Sequence, residues 1–184
     1  MALAISGLNY QAWEVDIKAK PAELLEISPK ATVPVLVFAD GTVMEQSMQI
    51  VKWALGHGNT SSYLPTDSQE LQMSLDLIAQ NDGDFKTALD RYKYPERHSR
   101  IEQTQLQIDA TLFIKQWNAM LENRLYLLGD KPSMVDIALM PFVRQFASVD
   151  ADYFSGLPFA DIKAWLQRLI DTDIFRQVMQ KSST

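Results

Sequence analysis

The chain has 184 residues, 47% of them hydrophobic and 22% charged, a balance that predicts a packed core and excludes a disordered chain. Its net charge of -6 and its scattered Lys and Arg residues disfavour nucleic acid as a partner. Without cysteine there is no disulfide, thiolate metal site or cysteine nucleophile in these residues, and two histidines alone cannot form a zinc site.

No apolar run approaches the ~20 residues that cross a bilayer. Residues 1–8 have neither a basic segment nor a small-residue cleavage site that would mark a secretory signal. We therefore expect a soluble, cytoplasmic protein with no membrane partner.

The first third of the chain mixes strand-like and helical patterns. Apolar residues alternate over 12–17, which predicts a half-buried strand, and Pro21 opens a short helix that ends at Ile27. Residues 35–38 form a continuous apolar run, and Asp40-Gly41 turns the chain back into 42–44 as a hairpin. Helical spacing then resumes around residue 50, so this part is an α/β unit.

The rest of the chain is patterned as helices. A Gly- and Ser-rich stretch between Gly56 and Asp67 separates the two parts, so we predict domains at 1–58 and 66–184. Apolar residues at helical spacing predict a first long helix over 71–92, interrupted by Pro95, and a second that ends at Gly129. Further helices are predicted from Pro132-Ser133, over 162–170 and over 174–179.

Pro34 lies directly before the apolar strand and directly after the β-branched Val33. A cis bond at such a position costs only about 0.5–1 kcal/mol. It would turn the main chain of Val33 outward, where its N–H and C=O could pair with an extended, peptide-like ligand. The alternative is a trans proline at the first residue of a strand.

These residues carry a family resemblance. Val33-Pro34-Val35-Leu36, the Asp40-Gly41 hairpin and Met44-Glu45-Gln46-Ser47-Met48-Gln49-Ile50 resemble the glutathione-binding half of cytosolic glutathione transferases, particularly the omega-like and bacterial cysteine-type members. The resemblance implies a thioredoxin-like α/β domain followed by an all-helical domain.

The resemblance also implies binding roles. In the family an acidic residue and a serine at a helix start hold the γ-glutamyl group of glutathione, where free N–H groups attract its carboxylate. Ser47 matches the serine, and Gln46 stands where the family has glutamate, so weaker binding is expected. For Ser47 the alternative is a simple helix cap.

Lys20 matches the lysine that holds the glycine carboxylate in omega-like members, with a flexible surface lysine as the alternative. Phe85, Tyr92 and Tyr94 are candidates for an electrophile pocket by position, although helix core is the favoured interpretation.

In the helical part, residues 128–138 resemble the family's entry into a buried central helix. Ser133 and Asp136 have the spacing of a capping box, with Asp in place of Glu. This motif is structural whatever the function.

Family members begin with a strand and then a catalytic cysteine, serine or tyrosine at the start of the first helix. Residues 1–8 resemble the last turns of that helix, so the resemblance implies a catalytic residue upstream of Met1 and a thioredoxin-like domain that lacks its first strand. No residue of the sequence is assigned as catalytic. Either the working protein is longer, or the sheet closes differently around two unpaired strand edges.

The predicted function is conjugation of glutathione, as co-substrate, to a small electrophile, or glutathione-dependent reduction of a disulfide. The alternative is a non-catalytic binding or interaction module on the same fold. The family also implies a homodimer.

Overall fold

The computed structural model describes residues 1–17, 19–94 and 99–180. The helices and strands of this part of the chain are α1 Ala2–Ser6, α2 Ala22–Ile27, β1 Leu36–Val37, β2 Val43–Met44, α3 Ser47–Leu55, α4 Ser68–Gln80, α5 Lys86–Lys93, α6 Arg100–Met120, α7 Met134–Val149, α8 Ala151–Gly156, α9 Ala160–Ile170 and α10 Asp173–Met179. A 3-10 turn joins α3 to α4, and a π-helical turn joins α4 to α5. None of the described helices is both long enough and apolar enough to cross a membrane.

The predicted hairpin is confirmed. β1 and β2 are antiparallel, with Leu36 opposite Met44 and Val37 opposite Val43. In the connecting turn, Asp40 Oδ1 accepts a 2.9 Å hydrogen bond from the Thr42 N–H, and this bond lowers the pKa of Asp40. The turn and the pairing together fix the register of the hairpin.

The predicted strand over 12–17 is wrong. Among the described residues this segment forms no strand and belongs to no sheet. Trp13 and Ile17, which an amphipathic strand would bury, are 79% and 65% exposed. An alternating pattern forms a strand only where a neighbouring strand supplies hydrogen bonds and a core covers its apolar face. Neither reaches residues 12–17.

Residues 2–6 form α1, in agreement with the helical interpretation of the first eight residues. α1 packs on α3, and α3 in turn packs on α7 of the helical part. Ala2, Ala54 and Leu55 therefore belong to the same buried core as the helices that follow.

The helical part encloses that core around α7. The predicted first long helix is present as α4, the π-helical turn Asn81–Phe85 and α5. Pro95, predicted to interrupt it, lies outside the described residues. Phe85 packs edge-on against Trp117 of α6, with ring centroids 4.7 Å apart. Helices α7 and α9 complete the core with fully buried side chains such as Trp165.

The second long helix ends earlier than predicted. α6 stops at Met120, and Asn123 adopts the left-handed conformation at φ 59°, which asparagine tolerates better than most residues and which turns the chain out of the helix. Gly129, predicted to cap this helix, lies instead in a later turn, where it exchanges backbone hydrogen bonds with Tyr126.

A buried carboxylate fixes the start of α7. The side chain of Asp136 accepts hydrogen bonds of 2.7 Å from both the N–H and the hydroxyl of Ser133, the helix cap. Its other oxygen accepts from the Leu127 N–H at 3.0 Å and from the Trp165 indole at 2.8 Å. Four donors thus satisfy a fully buried acid.

Candidate functional site

The candidate site begins at the loop before β1. The Val33–Pro34 peptide bond is cis, and Val33 is 46% exposed. Neither the N–H nor the C=O of Val33 hydrogen-bonds to any other residue in the described part of the chain. The loop therefore presents a free main-chain donor and acceptor at the surface.

The hairpin brings this loop to the start of α3. Leu36 lies opposite Met44 at the open end of the hairpin. Pro34 is two residues before Leu36, and Gln46 is two residues after Met44, so both lie at this end. α3 begins one residue later, at Ser47. The register of the hairpin thus places the Val33–Pro34 loop and the N-terminus of α3 side by side.

The N-terminus of α3 has no side-chain cap. Gln46 occupies the cap position, with φ -98° and ψ 122°, and its side chain accepts no hydrogen bond from the first turn. Ser47 is the first helical residue, so it does not fill the cap position that the alternative interpretation gave it. Its hydroxyl bonds to none of the described residues, and both side chains are exposed. The first-turn N–H groups are therefore open to an anion.

Lys20 lies in the exposed loop just before α2. Its ammonium forms no ion pair with any residue within 1–17, 19–94 and 99–180. No hydrogen bond among the described residues joins it to Val33 or Ser47. The structure thus brings three of the four residues nominated for the ligand to one end of the hairpin, and leaves Lys20 on a neighbouring loop.

Sequence reasoning missed one residue at this end of the hairpin. Glu45 lies between β2 and Gln46, and its Oε1 accepts a 2.5 Å hydrogen bond from the hydroxyl of Ser28. The other oxygen lies 3.7 Å from the Lys30 ammonium. The partners are 17 residues apart in the chain, and no local pattern reveals such a pair.

Two of the three aromatic candidates lie in the helical core. Phe85 is fully buried against Trp117, and Tyr92 is buried against Phe146 with ring centroids 5.5 Å apart. Burial raises the pKa of the Tyr92 hydroxyl, which accepts a hydrogen bond from the side chain of Gln107. Both residues are helix core, as the favoured interpretation had it, whereas Tyr94 is exposed at the end of α5.

An open groove of about 530 Å³ lies between α3, the linker and the first turns of α4. Its lining includes Lys52, Leu64 and Met134. None of the residues nominated from the sequence lines it. No group of three or more His, Asp or Glu side chains suited to a metal ion occurs among the described residues.

A small α/β unit with a cis-proline loop, joined to an all-helical unit, defines a class of protein: a thioredoxin-like domain followed by a helical domain. Residues 1–55 match the family model of the glutathione S-transferase N-terminal domain, and residues 108–168 match that of the C-terminal domain. The chain belongs to the glutathione S-transferase family. The predicted fold class and family are thus confirmed.

Two curated relatives are each 23% identical to this chain. One is a stringent starvation protein A homolog of Haemophilus influenzae, with 96% of this chain matching 81% of that protein. The other is a glutathione S-transferase of Emericella nidulans, with 84% of this chain matching 60% of its length.

Solved structures of the family share the fold at low identity. BphK, described as a bacterial glutathione transferase in a ternary complex, superposes with a TM-score of 0.80 at 22% identity, over 97% of this chain and 90% of that one. Omega 3C glutathione transferase from Trametes versicolor gives 0.80 at 20% identity, over 99% and 84%. A family member from Pseudomonas fluorescens with two glutathione molecules bound gives 0.81 at 16% identity, over 96% and 84%.

Proposed function

We propose that this chain binds glutathione at the end of the hairpin where the Val33–Pro34 loop meets the N-terminus of α3. The observation that carries the proposal is the uncapped first turn of α3, which lies beside a main-chain segment with a free donor and acceptor. One feature attracts a carboxylate and the other pairs with a peptide, and glutathione contains both.

The proposed contacts divide the ligand into three parts. The γ-glutamyl carboxylate lies at the first-turn N–H groups of α3, where the Ser47 hydroxyl adds a hydrogen bond, and its ammonium donates to the Gln46 side-chain oxygen. The cysteinyl main chain pairs with the N–H and C=O of Val33 as an added strand. The ammonium of Lys20 pairs with the glycine carboxylate.

Glutathione bound in this way serves as co-substrate, either for conjugation to a small electrophile or for thiol-dependent reduction of a disulfide. Family membership supports this role, as do relatives whose structures contain glutathione or oxidised glutathione. The family also supports a homodimer. Exposed apolar side chains one turn apart on α4 and on α6, Leu71 with Leu75 and Ile108 with Leu112, provide faces for a second copy.

Titration calorimetry with reduced glutathione tests the binding site. Ser47→Ala is expected to weaken binding about tenfold, the equivalent of ~1.4 kcal/mol. Ser148→Ala is the matched control, because this exposed serine lies on α7 and bonds only to its own helix. No binding by the unmodified chain at millimolar glutathione, or equal affinity of the two variants, would contradict the proposal.

A turnover assay with a generic electrophile and a disulfide substrate separates the enzyme from the binding module. Formation of the conjugate, or oxidation of glutathione coupled to disulfide reduction, supports the transferase or reductase role. Retention on immobilised glutathione without either reaction supports a binding module instead.

A further inference from the structure

We propose that Glu45 is a positioning residue for glutathione: its carboxylate ties the loop that leads to Val33 to the segment that leads into α3. This inference rests on the proposed function, because it concerns the geometry of the same site. It assigns Glu45 no contact with the ligand.

The first half of the link is the turn that precedes the cis-proline loop. Ser28 is fully buried, and its N–H bonds to the Leu24 carbonyl at the end of α2. Its own carbonyl accepts a 2.8 Å hydrogen bond from the Ala31 N–H, and Ala31 is buried with φ 49°. Ser28 therefore anchors a turn of fixed conformation only five residues ahead of Val33.

The second half of the link is the short connection between β2 and α3. It consists of Glu45 and Gln46, so that the carboxylate stands two residues before Ser47. The 2.5 Å hydrogen bond from Ser28 to Glu45 joins this connection to the turn. One side chain thus fixes the distance between the two segments that together form the candidate site.

The hydrogen bond to Ser28 contributes more to this link than the ion pair with Lys30. The Lys30 side chain is 64% exposed and its ammonium lies 3.7 Å from Glu45, so solvent screens the attraction. Ser28 is buried, and a hydrogen bond from a buried hydroxyl to a carboxylate is among the stronger kinds. The two-residue pairing of β1 with β2 also joins the two segments.

The test measures glutathione affinity and thermal unfolding in Glu45→Ala, Ser28→Ala and the double variant. Each single change is expected to weaken binding about tenfold, since small displacements of binding groups are costly. The double variant is expected to bind about as weakly as either single one, because both changes remove the same hydrogen bond. Glu26→Ala on the exposed face of α2 is the control and should leave affinity unchanged.

A conservative variant separates positioning from general destabilisation. Glu45→Gln keeps an oxygen that accepts from Ser28 and loses only the charge beside Lys30, so its affinity should fall no more than about threefold. Calorimetry is performed well below the unfolding midpoint of every variant, as checked by circular dichroism. Under that condition every variant is folded, so a change in the dissociation constant reflects the geometry of the site and not a loss of folded protein.

The outcomes of this experiment are distinct from those for the proposed function. If the unmodified chain does not bind glutathione, the proposed function itself fails. If the unmodified chain binds and Glu45→Ala binds equally well, Glu45 does not position the site. If Glu45→Ala does not fold, the test rests on the glutathione affinity of Ser28→Ala. An unchanged affinity in that variant overturns the inference, and a tenfold weaker affinity supports it.

Discussion

The indole N–H of Trp165 donates a 2.8 Å hydrogen bond to the carboxylate of Asp136 in the centre of the helical domain. Through that carboxylate, α9 is joined to the cap of α7 and to the turn that contains Leu127. Three segments therefore depend on one buried acid, and the Trp165 donor on α9 is 29 residues from it in the chain. An acceptor with two oxygens is required there, because every neighbouring polar group donates.

Replacement of Asp136 by Asn is expected to destabilise the protein by about 2–4 kcal/mol. The amide NH2 would face one pair of donors and leave them without an acceptor. Asp152→Asn, at an exposed position in the first turn of α8, is the matched control. Urea unfolding monitored by circular dichroism gives the free energy of unfolding of both variants. If Asp136→Asn lowers this free energy no more than the control does, the assigned role of Asp136 is contradicted.

Replacement of Gln46 by Glu is expected to tighten glutathione binding by about three- to tenfold at low salt. A carboxylate at the start of α3 would add charge attraction for the γ-glutamyl ammonium while keeping an acceptor. Calorimetry at two salt concentrations checks this, since the gain should shrink as salt is added. Gln69→Glu, an exposed change on α4, should give no comparable gain. Equal gains in both variants would mean that the added charge acts only by long-range attraction and not at the site.

The raised pKa of Tyr92 predicts a loss of stability in alkaline solution. Burial favours the neutral phenol in the folded protein, so the unfolded chain ionises first, at its ordinary pKa of about 10. The stabilisation from this group is therefore complete below about pH 10 and is lost as the pH rises through the folded pKa. In Tyr92→Phe, the free energy of unfolding measured in urea should therefore decline less between about pH 9 and 11 than it does in the unmodified protein.

The control for this prediction is Tyr10→Phe, because Tyr10 is exposed. It should follow the unmodified protein across the same pH range. If Tyr92→Phe also follows the unmodified protein, burial of the Tyr92 hydroxyl does not set the alkaline stability.

Replacement of Leu112 by Glu is expected to convert a dimer into a monomer. Leu112 is 58% exposed on α6, and a charge placed in an apolar interface without a partner opposes association. Light scattering coupled to size-exclusion chromatography measures the mass. Ser148→Glu adds the same charge at an exposed position of α7, away from the face formed by Ile108 and Leu112, and should remain dimeric. A monomeric unmodified chain, or a dimeric Leu112→Glu, would show that this face is not the interface.

The features that could be predicted from the sequence are those that depend on neighbouring residues. The Asp40-Gly41 hairpin, the capping box of Ser133 and Asp136 and the buried face of α9 all follow from local spacing. Each is confirmed because the interactions that form it lie within a few residues. The cis bond at Pro34 is also present, although the sequence left the trans form open.

The features that could not be predicted depend on distant contacts. The alternation over 12–17 gave a wrong strand because a strand also needs a neighbouring strand and a core that covers its apolar face. The link between Ser28 and Glu45 and the hydrogen bond from Trp165 to Asp136 have no sequence signature. In both cases the identity of the partner is set only by the fold.

The brevity of the hairpin has a consequence for the kinetics of the candidate site. Its two strands are only two residues long each, and such a hairpin is marginal without support from its surroundings. Its amide hydrogens should therefore exchange with solvent much faster than those of α7, through local opening that leaves the helical core intact. Glutathione bound across its end would oppose that opening, so slower exchange over residues 36–44 would report occupancy of the site without any need for turnover.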